Sequence, residues 1–93
     1  NQSLKNKKII ISAGASGIGL ATVKICLTRG ATIYLCDIDN KSLHKLNKHP
    51  LINKRLFAYL CDASNENQVS DLFEKVKKKT KKIFVDRTRK LGG

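Results

Sequence analysis

Residues 8–37 read KIIISAGASGIGLATVKICLTRGATIYLCD, and this stretch decides the fold. A β-branched apolar run over residues 8–12 leads into a glycine-rich loop at residues 12–19, and a second apolar run covers residues 31–36. The first run does not alternate with polar residues, which is typical of a strand buried on both faces of a parallel sheet. A strand, a glycine-rich turn, a helix and a second strand are therefore predicted in that order.

The segment between the two apolar runs has the spacing of an amphipathic helix. Ile18, Ala21 and Ile25 recur at helical intervals and predict an apolar stripe on a helix that runs to Arg29. The stripe is widened by Leu20, Val23 and Leu27. Gly30 stands where a glycine ends a helix, because glycine adopts the left-handed conformation without a Cβ clash.

The chain beyond the second strand continues the alternation of helix and strand. Asp39 or Asn40 can cap a short helix, which must stop near His49 because Pro50 follows. A third strand is predicted over residues 55–61.

A third helix and a fourth strand complete the predicted order. Ser64 or Asn65 can cap the helix. Its apolar residues follow the i, i+3, i+4, i+7 pattern at Val69, Leu72, Phe73 and Val76. Residues 83–85 can start the strand. The predicted fold class is α/β, a three-layer Rossmann-type parallel sheet in the order β-α-β-α-β-α, as one domain over residues 1–93 with a basic segment at residues 75–93.

The basic charge of the chain is unevenly placed. The net charge over 93 residues is +12, and residues 75–93 carry nine Lys or Arg against one Asp. Six of these lysines fall close together, at Lys75, Lys77, Lys78, Lys79, Lys81 and Lys82. Such a run can contact nucleic acid or another acidic partner. It lacks interleaved aromatic residues and suits a helix C-terminus, so a solvated helix end is favoured.

The cysteines, the histidines and the hydropathy of the sequence argue against disulfide-stabilised, metal-binding and membrane-spanning proteins. Cys26, Cys36 and Cys61 are odd in number and lack CxxC spacing, which argues against a disulfide framework and a zinc site. Reduced, partly buried thiols in a cytoplasmic protein are expected. His44 and His49 have no cluster of Cys or carboxylates around them and are predicted to lie at the surface, so no metal ligand is assigned. No apolar run reaches the roughly 18 residues of a membrane span.

The glycine-rich loop has the features of a phosphate-binding site. A helix N-terminus offers N–H groups and a partial positive charge to an anion such as the pyrophosphate of a dinucleotide. Close approach of that anion requires small side chains, which residues 12–19 supply. Gly17 would permit the approach, and Gly19 would let the helix pack against the sheet.

An acidic residue ends the second strand, at the spacing of about 20 residues expected for a dinucleotide site. Asp37 lies at the carboxyl end of its strand, where open α/β sheets bind ligands. Its carboxylate can accept hydrogen bonds from both ribose hydroxyls of an adenosine and would repel a 2′-phosphate. NAD(H) is therefore predicted in preference to NADP(H). A solvated carboxylate is the alternative for Asp37, and Asp39 is the nearby competitor, for which a helix cap is favoured.

Three segments resemble the short-chain dehydrogenase/reductase family. Residues 12–19 resemble its TGxxxGIG cofactor loop, residues 36–39 (CDID) the second-strand ending of NAD-preferring members, and residues 60–63 (LCDA) its third-strand ending. The resemblance implies that Asp62 meets the adenine amino group beside the backbone of Ala63; a helix-capping or solvated carboxylate is the alternative for Asp62. The cofactor-binding set is Ser12, Gly14, Ser16, Gly17, Ile18, Gly19, Asp37, Ile38, Asp62 and Ala63.

The chain departs from the family pattern at two places. Ala13 stands where the family has its first glycine, and we expect an ordinary φ angle there. Residues 86–90 (DRTRK) follow the fourth strand in place of the family's Asn-Asn-Ala-Gly motif. The chain therefore resembles a truncated N-terminal portion of such an enzyme, and we expect it to be weakly stable or a homo-oligomer, because the next strands would pair at its sheet edge.

The resemblance also implies an activity, the interconversion of a small alcohol and a carbonyl, with a catalytic Tyr whose pKa is lowered by a Lys four residues later. Tyr34 is followed at that spacing by Ile38, and Tyr59 by Ala63. Both tyrosines lie in predicted strands, where packing explains them better. No catalytic residue is assigned, and the isolated chain is not expected to be catalytic.

Two other classes stay open. An S-adenosylmethionine-binding methyltransferase fragment has a similar first unit, although residues 10–12 lack the acidic residue that usually precedes its glycines. A basic nucleic-acid-binding protein built on a Rossmann remnant is the second alternative.

Overall fold

The structure, a computed structural model, describes residues 3–79 and the backbone of residues 84–86. Within them, parallel strands alternate with helices. The elements are β1 (Lys8–Ser12), α1 (Gly17–Thr28), β2 (Thr32–Asp37), α2 (Asn40–Lys45), a 3₁₀ turn (Leu46–Lys48), β3 (Leu56–Leu60), α3 (Glu66–Lys77) and β4 (Phe84–Asp86). The strand order is β3-β2-β1-β4, and every neighbouring pair is parallel. The predicted Rossmann-type sheet, with its fourth strand, is confirmed.

The sheet is covered on both faces. Successive side chains of a strand point to opposite faces, and β1 divides its isoleucines accordingly. Ile11 packs in one buried cluster with α1 and α2, whereas Ile10 packs in the other with α3. The first cluster also contains Val23, Leu27, Ile33, Leu35, Leu43, Leu46 and Leu56. The second also contains Tyr34, Cys36, Cys61, Leu72 and Val76. The three predicted layers are therefore present.

The packed face of α1 differs from the predicted stripe. Ile18 is 83% exposed and Ile25 is 54% exposed, whereas Val23 and Leu27 are buried. Ala21 is exposed as well. The helix is apolar around most of its circumference, so helical spacing alone did not identify the face that meets the sheet. The prediction of a stripe centred on Ile18, Ala21 and Ile25 is wrong, and the residues expected only to widen it form the contact.

The ends of the elements follow the predicted caps. Asp39 caps α2, and its carboxylate accepts from the N–H of Lys41 at 3.1 Å. Asn65 caps α3 and accepts from the N–H of Gln68 at 3.1 Å. Gly30 follows the end of α1 with a φ of +100°. These local predictions are confirmed.

The third strand is one residue shorter at each end than the predicted span of residues 55–61. Arg55 lies just before it, and its Nη1 donates to the carbonyl oxygens of Leu27 at 3.1 Å and Ala31 at 2.8 Å. The guanidinium therefore binds one carbonyl group in the last turn of α1, where positive charge is favourable, and one just before β2.

The aromatic residues of the sheet serve packing, as predicted for the tyrosines. Tyr34 is buried and stacks on Phe57 with ring centroids 5.1 Å apart. Tyr59 is half-buried in the same cluster. The ammonium group of Lys79 lies 4.9 Å from the centroid of the Phe57 ring.

The lysines that the structure describes at the end of α3 are solvated, as predicted. Lys75, Lys77, Lys78 and Lys79 are exposed, and they occupy the last turn of α3 and the residues after it. Lys81, Lys82 and most of the basic segment at residues 75–93 lie outside the described residues. The boundary of that segment therefore stays a prediction.

Residues 3–79, which the structure describes, include both histidines and the described helices. His44 is exposed, as predicted, but His49 is half-buried, and its Nδ1 accepts the N–H of Leu51 at 3.0 Å. Across this described part of the chain, no group of His, Cys, Asp and Glu could hold a metal ion. No described helix is both long and apolar enough to cross a membrane.

Candidate functional site

The glycine-rich loop joins the buried end of β1 to the N-terminus of α1. Ser12 is 2% exposed, and the chain turns over residues 13–16 before α1 begins at Gly17. Ser16 occupies the N-cap position but makes no side-chain capping bond, and no acidic residue lies in the first turn of this described helix. The first N–H groups of a helix have no partner within it. The start of α1 therefore offers donors and a partial positive charge to an anion.

The three glycines of the loop have different structural roles. A Cβ on Gly14 would lie 3.0 Å from Cβ of Leu35 and 3.3 Å from Cγ2 of Ile11, so Gly14 packs into the core. A Cβ on Gly19 would overlap the carbonyl oxygen of Ala13. Gly17 has a φ of +58° and faces open space, with no described atom within 4 Å of a Cβ placed there.

These contacts correct the predicted role of Gly19 and support that of Gly17. Gly19 lets the helix approach the turn of the loop, not the sheet as predicted. No described atom fills the space beside Gly17, as close approach of a ligand requires. Its positive φ also favours glycine.

Ala13 adopts a left-handed backbone conformation, with a φ of +54°. The expectation of an ordinary φ angle at this position is wrong. An L-residue pays a steric penalty in this region because its Cβ approaches the following carbonyl oxygen. The first glycine of the family motif is therefore replaced at a position where the backbone favours glycine.

Asp37 connects the end of β2 to the glycine-rich loop. Its Oδ2 accepts the N–H of Ala15 at 3.1 Å, and its Oδ1 accepts the N–H of Asp39 at 3.0 Å. The residue is 9% exposed. The alternative of a solvated strand-end carboxylate is wrong, because Asp37 is buried and both of its oxygens bind backbone amides.

A cavity of about 380 Å³ opens at the carboxyl ends of β2 and β3. Its volume is within the range of about 300–1,000 Å³ typical of small-molecule sites. The lining residues are Ala13, Asp37, Ile38, Cys61, Asp62, Ala63 and Ser64. The cavity thus brings together four predicted site residues, Asp37, Ile38, Asp62 and Ala63.

The other predicted residues lie elsewhere. Ser12, Gly14 and Gly19 are buried within or beneath the loop, and Ser16, Gly17 and Ile18 are exposed at the start of α1. Sequence reasoning missed Ala13, Cys61 and Ser64 as cavity residues. Cys61 and Ser64 flank the predicted pair Asp62 and Ala63, so their position in the sequence was the available signal.

Hydrogen bonds fix the carboxylate of Asp62. Its Oδ1 accepts the hydroxyl of Ser64 at 2.7 Å and the N–H of Ser64 at 2.9 Å. These bonds favour the charged form and hold the pKa of Asp62 below its usual range. Asn65, not Asp62, caps α3. The side chain of Asp62 is therefore an oriented carboxylate in the cavity wall.

The thiols next to the two carboxylates are neutral at physiological pH. Burial raises the pKa of Cys36 to about 12, and the neighbouring Cys61 contributes to the shift. Burial also raises the pKa of Cys61. Cys36 and Cys61 are both free and buried. Among the ionisable groups that line the cavity, negative charge therefore comes from Asp37 and Asp62.

Comparison with known proteins identifies the class. The family described as short chain dehydrogenase matches residues 7–85. The chain is 30% identical over 86 residues to short chain aldehyde dehydrogenase 1 of Euphorbia lathyris, covering 91% of this chain and 30% of that protein. It is 31% identical over 83 residues to a 3-oxoacyl-[acyl-carrier-protein] reductase of Thermotoga maritima, covering 88% of this chain and 34% of that protein.

Solved structures agree with these matches. The 3-ketoacyl-(acyl-carrier-protein) reductase of Brucella melitensis, complexed with NADH, has a TM-score of 0.76 at 26% identity, with 87% of this chain and 32% of that chain covered. An NADPH-bound short chain oxidoreductase of Pseudomonas aeruginosa has a TM-score of 0.73 at 31% identity, with 84% and 32% covered.

The chain belongs to the short-chain dehydrogenase family. It corresponds to the N-terminal, cofactor-binding part of this family of nicotinamide-dependent oxidoreductases, and this confirms the predicted class. It spans about a third of the length of the relatives it matches. The matches do not favour the methyltransferase or the nucleic-acid-binding alternative.

Proposed function

We propose that the chain binds a nicotinamide dinucleotide and prefers NAD(H) to NADP(H). The observation that carries the preference is the buried carboxylate of Asp37, which borders the 380 Å³ cavity and is held there by two backbone amides. A 2′-phosphate placed against that carboxylate would meet like charge in a partly desolvated site. A ribose with free hydroxyls would instead donate hydrogen bonds to it.

The described residues fit the two halves of such a ligand. The start of α1 has no side-chain cap, and the space beside Gly17 is open. Both features suit a pyrophosphate. The cavity suits adenosine, since Asp62 can accept from the adenine amino group and Ile38, 64% exposed, can cover an apolar face of the base. Ile18, 83% exposed at the start of α1, can pack against the part of the ligand beyond the pyrophosphate.

A full-length member of this family with such a cofactor-binding part would interconvert an alcohol and a carbonyl. A bound nicotinamide would supply hydride chemistry, and the residues of this chain would bind and orient it. Neither Tyr34 nor Tyr59 has a lysine four residues later. We therefore propose that the 93-residue chain alone binds cofactor without turning over substrate. A cytoplasmic location is part of the proposal, since Cys36 and Cys61 are free, as a reducing compartment would keep them.

Calorimetric titration of the 93-residue chain with NADH, NADPH and S-adenosylmethionine tests the proposal. NADH is expected to bind at least about tenfold more tightly than NADPH, a difference of about 1.4 kcal/mol. S-adenosylmethionine lacks a pyrophosphate and is expected to bind weakly. Asp37→Ala should remove the preference, whereas Asp39→Ala, two residues further along, should retain it. Equal affinity for the two cofactors, or tighter NADPH binding, would overturn the assignment of Asp37.

A further inference from the structure

The carboxylate of Asp37 reaches the backbone of a loop 22 residues earlier in the chain. Its Oδ2 accepts the N–H of Ala15 at 3.1 Å, and this contact is buried. The N–H of Gly14 donates to the carbonyl oxygen of Cys36 at 3.3 Å, so the same turn is also tied to β2 through the backbone. The side-chain bond is the stronger of the two, because one partner is charged and shielded from water.

A second hydrogen bond fixes the direction of that carboxylate. The N–H of Asp39 donates to Oδ1 of Asp37 at 3.0 Å, so the two oxygens are held by amides from different segments. A carboxylate offers about four acceptor positions. Two are used by these amides, and the remaining two match the two hydroxyls of a ribose in number. The carboxylate can therefore hold the loop and bind a ribose at the same time.

The turn needs such a constraint because its backbone is strained. Ala13 has a φ of +54°, in the left-handed region that an alanine rarely occupies. Residues in such conformations persist when the surrounding structure determines them from several sides. The bond from Ala15 to Asp37 constrains the turn two residues after Ala13 and one residue before Ser16, the N-cap of α1.

We propose that Asp37 is a positioning residue for the glycine-rich loop, in addition to its proposed contact with ribose. The carboxylate holds the turn at Ala15 in the shape that presents the start of α1 to an anion, before any cofactor binds. Recognition of the adenosine half and binding of the pyrophosphate then depend on the same side chain. The first part of this inference, that Asp37 holds the loop, concerns the free protein. The second part, that binding of the pyrophosphate depends on Asp37, rests on the proposed function.

The free protein tests the first part by NMR spectroscopy of the Ala15 amide. Asp37→Ala is expected to shift the Ala15 amide proton upfield and to speed its hydrogen exchange about tenfold or more, as loss of a hydrogen bond to a charged group implies. Asp39→Ala is the matched control, because it removes the cap of α2 and lowers stability without touching the loop. An Ala15 amide that behaves alike in both variants would overturn the inference.

The wild-type chain provides the measurement if Asp37→Ala does not fold. A scalar coupling across the hydrogen bond, from the Ala15 amide nitrogen to the carboxyl carbon of Asp37, is expected. Its absence, with the coupling from the Asp39 amide to the same carbon present, would contradict the proposal.

A cofactor analogue separates the two roles of Asp37. NAD whose adenosine ribose lacks both the 2′- and the 3′-hydroxyl cannot make the ribose contact. If Asp37 also positions the loop, Asp37→Ala should still weaken binding of this analogue several-fold. If Asp37 acts through the ribose alone, wild type and variant will bind the analogue equally, and the positioning role is refuted. Failure of the wild-type chain to bind NAD at all would refute the proposed function instead, and the Ala15 amide would still decide the first part.

Discussion

Replacing Ala13 by glycine is expected to stabilise the folded chain. The left-handed φ of +54° brings the alanine Cβ close to the following carbonyl, and glycine has no Cβ to make this contact. The conformation itself must be kept, because the carbonyl oxygen of Ala13 lies directly beneath Gly19, where a Cβ would overlap it. The strain at Ala13 is therefore a consequence of how α1 meets the loop.

The magnitude follows from two opposing contributions. The left-handed conformation costs an L-residue roughly 1–2 kcal/mol. A glycine makes the unfolded chain more flexible, which offsets the gain by roughly 0.4–1 kcal/mol. The free energy of unfolding of Ala13→Gly should therefore increase by about 1 kcal/mol or slightly less. With a urea m-value of about 1 kcal/mol per molar, the urea midpoint should rise by about 1 M.

Urea unfolding followed by circular dichroism measures this difference. Ala58→Gly is the matched control, because Ala58 lies in β3 without a positive φ and glycine there should lower stability by roughly 0.5–1 kcal/mol. Asn53→Gly is a second control at a φ of +61°, where the gain should be smaller because asparagine tolerates this region better than alanine. A midpoint that falls for Ala13→Gly, as for Ala58→Gly, would refute the assignment of strain.

Three further predictions concern other parts of the structure. Gly19→Ala should lower the free energy of unfolding by about 3 kcal/mol, because the overlapped atom belongs to the backbone; a urea midpoint close to that of wild type would contradict this. Ser64→Ala should raise the pKa of Asp62 towards its usual value, measured by NMR titration of the carboxyl carbon. In wild type, the lowered pKa of Asp62 adds to the free energy of unfolding at pH values above the unfolded-state pKa. This contribution is lost as the pH falls through the folded-state pKa. The free energy of unfolding of the variant should therefore fall less on acidification. Val23→Ala should cost about 2 kcal/mol, whereas Ile25→Ala on the exposed face should cost far less; equal losses would show that the packed face of α1 is assigned wrongly.

The order of elements could be predicted because its signals are local. Gly30 ends α1, Pro50 limits the segment that contains α2, and Asn65 caps α3, and each of these effects involves residues within a few positions along the chain. Strands alternating with helices then imply parallel pairing, because the chain must cross over a helix to reach the next strand.

The packed face of α1 could not be predicted, because the helix has apolar residues on several sides. Ile18 and Ile25 satisfy helical spacing as well as Val23 and Leu27 do. Val23 and Leu27 lie in one buried cluster with side chains of the strands, so the packed face depends on contacts with residues distant in the sequence. Sequence spacing contains no information on those contacts.

The three glycines of the motif have different roles in the structure, and this changes which residues support a choice of cofactor. Gly14 and Gly19 are required by contacts within the protein, with the core and with the backbone of Ala13, and would be needed to keep the loop in this shape whatever anion it bound. Gly17 alone of the three faces open space. A loop of this shape therefore suits an anion at the start of α1 and does not distinguish between ligands that differ elsewhere. The proposed preference for NAD(H) over NADP(H) therefore rests on the cavity at the ends of β2 and β3, where the carboxylate of Asp37 is held by the same loop.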